Sequence, residues 1–119
     1  MGTNRRLRSL VVGDTTWLWS VHHKHAECRE ILSLHREDAG VTLRIVFRAG
    51  PGRHVAEGHW YAGSITNGRG DLLNLHEPWV IRRLLDETAA RHALPTAPGE
   101  REMDGWPLFD ALVSRSDRP

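Results

Sequence analysis

The sequence predicts an α+β domain: a mainly antiparallel β-meander of about six strands, with a C-terminal helix and a second short helix packed on one face. Apolar residues alternate with a period of two through much of residues 6–76. Turn residues stand between the alternating runs, at Gly13-Asp14, Glu37–Gly40 and Asn67-Gly68. From residue 77 the apolar spacing changes to the helical three-and-four pattern.

Taken in order, Leu7 to Val12 reads as a first strand closed by Gly13-Asp14. Thr15 to His22 alternates, with Trp17, Trp19 and Val21 on one face. Arg29 to Arg36 puts Leu32 and Leu34 on one face, and Val41, Leu43, Ile45 and Phe47 line one side of the next strand. Pairing Arg36 with Val41 sets Leu34 against Leu43 and Leu32 against Ile45. Pairing Val21 with Glu30 then sets Trp19 against Leu32 and Trp17 against Leu34. A slip of one residue would turn that apolar set outward, so the meander is specified by its own pattern.

Gly50-Pro51-Gly52-Arg53 interrupts the alternation. A second hairpin is expected around Asn67-Gly68, pairing Trp60 with Leu75 and Ala62 with Leu73. Glu77-Pro78 opens a helix over 77–93, with proline at the first position, where its missing N–H costs nothing. Ile81, Leu84, Leu85, Thr88, Ala89 and His92 form its expected buried stripe, while Arg82, Arg83, Asp86 and Glu87 face water. Pro95 to Met103 reads as a loop. A second helical segment over about 104–114 uses Leu108, Phe109, Leu112 and Val113.

One domain is expected from 119 residues, of which 39% are hydrophobic and 26% charged. No apolar run approaches the roughly 20 residues that span a bilayer, and the start lacks a signal-peptide core. A soluble cytoplasmic protein with no membrane association is therefore expected. A net charge of +1 gives no global electrostatic case for nucleic acid. Residues 1–53 carry +4 and residues 54–119 carry −3, an asymmetry that solvated faces explain.

Val21-His22-His23-Lys24-His25-Ala26-Glu27-Cys28 is the densest stretch of potential chemistry. A neutral imidazole and a thiolate make a good zinc or copper donor set, so His23, His25 and Cys28 are the candidate metal ligands. No second pair stands at finger-like spacing, and the expected register puts His35 opposite Thr16, roughly 20 Å along the strand from His22. A polar turn explains the same letters, and no metal or other cofactor is expected. Cys28 as a nucleophile would need a base and a helix N-terminus or cation beside it, but it opens an extended strand.

Arg69-Gly70-Asp71 and Gly50-Pro51-Gly52-Arg53 resemble an adhesion tripeptide and a phosphate loop in letters only. The first lacks an export signal and the second the Lys-Ser/Thr of a P-loop. His59, His76 and Glu77 form a candidate acid–base group at the sheet-to-helix junction. The five tryptophans carry more information. Trp17, Trp19 and Trp60 belong to the core by register, and Trp106 anchors the last segment. Trp79 lies two residues before Ile81, about 200° around the helix, so it leans away from the buried stripe. With Pro78 it forms a candidate contact surface for a protein partner or a second copy. A small non-catalytic domain that binds a protein partner or a small molecule is thus the expectation, with an enzyme using His59, His76 and Glu77 as the alternative and a histidine-dependent metal-binding protein after it.

Overall fold

A computed structural model describes residues 7–55 and 63–116. Its α+β architecture has a five-stranded sheet, a three-stranded sheet and two α-helices. The meander is β1 (Arg8–Val12), β2 (Thr15–Lys24), β3 (Arg29–Arg36) and β4 (Val41–Arg48). A 3-10 turn, His25–Glu27, joins β2 to β3. The small sheet is β5 (His54–Val55), β6 (Ser64–Thr66) and β7 (Leu72–Asn74). Helix α1 (Pro78–Ala90), strand β8 (Gly99–Asp104) and helix α2 (Trp106–Ser116) complete the chain. The large sheet runs β1-β2-β3-β4-β8, antiparallel except for the parallel β4–β8 pair.

The β3–β4 register is the expected one, with Leu34 opposite Leu43 and Leu32 opposite Ile45. Between β2 and β3 the register moves by two residues: Trp19 faces Leu34, Val21 faces Leu32 and His23 faces Glu30. A two-residue shift preserves parity, so the same side chains stay on the core face. Trp17, Trp19, Leu32, Leu34, Leu43, Ile45 and Phe47 are all buried there. Each aliphatic side chain of that set contributes about 1.5–3 kcal/mol by leaving water. Helix α1 brings Val80, Ile81, Leu84 and Leu85 to the same core, and α2 brings Leu108, Phe109 and Leu112.

Pro95–Met103 is no mere loop, because β8 lies within it and beyond, pairing Leu43 with Arg101 and Ile45 with Met103. The Asn67-Gly68 hairpin has a five-residue loop instead of a two-residue turn, so Leu73 pairs with Ile65. Side chains hold that loop: Asn67 Oδ1 accepts from the Arg69 N–H at 2.9 Å, and Asn67 Nδ2 donates to Asp71 at 2.8 Å. The expected partners Trp60 and Ala62 lie outside the described residues.

The stripe of α1 also ends early. Ala89 and His92 are exposed, whereas Val80 and Glu87 are buried. His92 has a left-handed φ of 56° and caps the helix: its N–H donates to Ala89 O and that of Ala93 to Thr88 O, both at 3.0 Å. This is a Schellman ending with histidine where glycine is usual. Glu87 is drawn in by Arg91, whose Nε donates to it at 2.9 Å.

Trp106 anchors α2 to the sheet. Its indole Nε1 donates to Arg48 O at 2.9 Å, and its ring meets Phe47 and Phe109 edge-on. Gly105 permits that approach, since a Cβ there would lie 2.4 Å from the Phe47 ring.

Candidate functional site

Three places gather chemistry-bearing side chains: the last row of the core face, a cleft beside α2, and the start of α1. The core-face row is His23–Glu30–Phe47 across β2, β3 and β4. Alternation sends His23 inward after Trp17, Trp19 and Val21, and sends Glu30 inward after Leu34 and Leu32. Glu30 is fully buried, and its Oε2 lies 2.8 Å from His23 Nδ1. Burial pushes the Glu30 carboxyl above the ordinary glutamate value; the His23 ring, a Gly63 backbone hydrogen bond and the His76 charge offset part of that rise. His76 comes from the β7–α1 connection and packs closely on Gly63, where a Cβ would meet the ring at 2.5 Å.

Burial limits what this pair can do. Glu30 reaches no solvent, and His23 Nε2 is buried. The Glu30 carboxyl fixes the imidazole through this hydrogen bond, as a polar pin inside an apolar row.

His76 is exposed, with its N–H held by Asn74 Oδ1 at 2.9 Å. Glu77 is exposed at the N-cap of α1 and makes no side-chain cap bond. His59 lies outside the described residues. As for the metal candidates, His23 lies in β2 and not in the turn, His25 opens the 3-10 turn, and Cys28 follows it with a φ of 50°. Among the described residues no three His, Cys, Asp or Glu side chains gather as metal ligands. His35 stands opposite Leu18, not Thr16, and bonds Thr42 Oγ1 at 2.9 Å.

The cleft encloses about 730 Å³ between the Pro51-Gly52 turn, the Asn67–Asp71 loop and α2. Arg53 forms its floor, donating to both Asp110 oxygens at 2.8 and 2.7 Å and lying 4.9 Å over the Trp106 ring. The Arg69-Gly70-Asp71 tripeptide forms one rim. Two arginines and two aspartates balance here, so the cleft presents no excess charge to a ligand.

At the start of α1, Pro78 and Trp79 are exposed, Trp79 to 53%. Trp17, Trp19 and Trp106 are 6% exposed or less. Arg8 of β1 ties this corner to the sheet edge: its Nη1 donates to His76 O at 2.7 Å, and its guanidinium lies 4.8 Å over the Trp19 ring. Leu7 beside it is 65% exposed. No helix among the described residues is long and apolar enough to cross a membrane. Comparison with protein-family models, curated proteins and solved structures finds no match.

Proposed function

We propose that this chain is a small non-catalytic interaction domain that holds a protein partner through the Pro78–Trp79 corner. The observation that carries the reading is the 53% exposure of Trp79 beside an exposed proline, where the other described tryptophans are buried. An indole left in water forgoes a burial gain of a few kcal/mol, and tryptophan is the residue most enriched where interfaces concentrate their energy. Its setting is rigid, because the helix start is fixed by Pro78 and by the Arg8–His76 bond. A preorganised aromatic contact loses little entropy on binding. The acid–base alternative has less behind it: His76 and Glu77 are both exposed, and Glu77 makes no side-chain cap bond.

Site-specific photocrosslinking tests this reading. A benzoylphenylalanine replacing Trp79 is expected to give a discrete protein adduct in the native cell. The same probe replacing Asp86, exposed on the same helix, is expected to give none. No adduct from position 79, or the same adducts from both positions, would remove the proposal.

A further inference from the structure

The two edges of the large sheet are built differently. The β8 edge, Gly99–Asp104, carries Glu100, Arg101, Glu102 and Asp104, all exposed. Glu100 and Glu102 are tied to Arg44 and Arg48 of β4 at 3.2 and 2.9 Å. Charge along an edge is how sheets resist the addition of another strand. The β1 edge, Arg8-Ser9-Leu10-Val11-Val12, has one charge, and Arg8 spends it inward on His76 O and the Trp19 ring. Val11, at 63% exposure, and Ser9 face water on the outer side. Among the described residues nothing pairs with the far side of β1.

We propose that β1 pairs antiparallel with β1 of a second copy of this chain, joining two five-stranded sheets about a two-fold axis. The inference rests on the reading of the Pro78–Trp79 corner as a contact surface and names its occupant.

A two-fold contact needs a strand complementary to itself. Pairing centred on Leu10 sets Arg8 opposite Val12, Ser9 opposite Val11, and Leu10 opposite Leu10. The one charge of the strand therefore never faces its own copy, and Val11 and Val12 supply β-branched partners for Ser9 and Arg8. A net charge of +1 adds little long-range repulsion between copies. The Arg8–His76 bond puts the Trp79 corner at the Arg8 end of the strand, the end that meets Val12 of the second copy. Edge and indole thus belong to one seam.

Sedimentation equilibrium with charge variants tests the pairing and its register. Ser9 and Val11 are exposed, so the folded monomer tolerates substitution at both, which thermal melting checks. The wild type is expected to dimerise in the micromolar range. Ser9→Lys with Val11→Lys puts lysine opposite lysine twice and is expected to weaken the dimer by about tenfold. Ser9→Glu with Val11→Lys puts opposite charges in the same places and is expected to restore it. A monomeric wild type overturns the pairing, as does a double-lysine variant that dimerises normally, or a Glu/Lys variant that fails to recover. Trp79→Ala run alongside separates the two proposals. A dimer lost with Trp79→Ala but indifferent to the β1 variants overturns the edge pairing and keeps the corner; the reverse pattern keeps the edge and removes the corner.

Discussion

Glu30 shows what one misplaced polar residue does inside an apolar face. Its carboxyl is raised above 4.5 because burial penalises the charged form more than His23, Gly63 and His76 favour it. A carboxyl raised on folding keeps its proton longer in the folded chain. The folded state therefore binds more protons in the window from about pH 4.5 up to the raised value. The contribution of Glu30 to stability is fully present below that window and declines as pH rises through it. Glu30→Gln removes the titration while keeping a polar partner for His23. The stability of the variant relative to the wild type is expected to increase as pH rises through the window and then level off. One proton limits the slope to about 1.4 kcal/mol per pH unit. Denaturant melts of both proteins over a pH series measure it, and a flat or falling difference would refute the assignment.

Elements reveal which parts of the fold sequence carries openly. The meander is legible because Trp17, Trp19, Val21, Leu32, Leu34, Leu43, Ile45 and Phe47 repeat with a period of two. The β2–β3 shift is not legible, since two registers of equal parity bury the same side chains. Nor is β8: Gly99–Asp104 has Met103 as its one apolar residue, and its pairing comes from backbone bonds and the ties to Arg44 and Arg48. The His23–Glu30 row was within reach of the same alternation, extended two residues further, but glutamate is so seldom buried that the pattern is easily stopped short. Trp79 needed only its angle on the helix. The end of α1 was hidden because histidine is a poor cue for a left-handed cap. His92→Gly is expected to stabilise the protein by about 0.5–1 kcal/mol, since glycine adopts that φ without a Cβ penalty. Chemical denaturation measures it, and a loss of stability would mean that His92 has contacts beyond the cap.

At the scale of the whole molecule, the core closes over one face of the large sheet, and both helices are spent closing it. Glu30 is buried with His23 half-buried beside it, and the Arg53–Asp110 cleft is balanced in charge. Among the described residues, the exposed Trp79 corner and the sparsely charged β1 edge are joined through Arg8 and His76. The proposed assembly covers this corner. Fluorine NMR of the chain labelled at its five tryptophans reads it directly. The resonance that disappears in Trp79→Ala should shift and lose its solvent-isotope sensitivity as protein concentration rises, while those of the buried tryptophans hold still. A Trp79 resonance that keeps its position and full solvent sensitivity at every concentration would contradict the account.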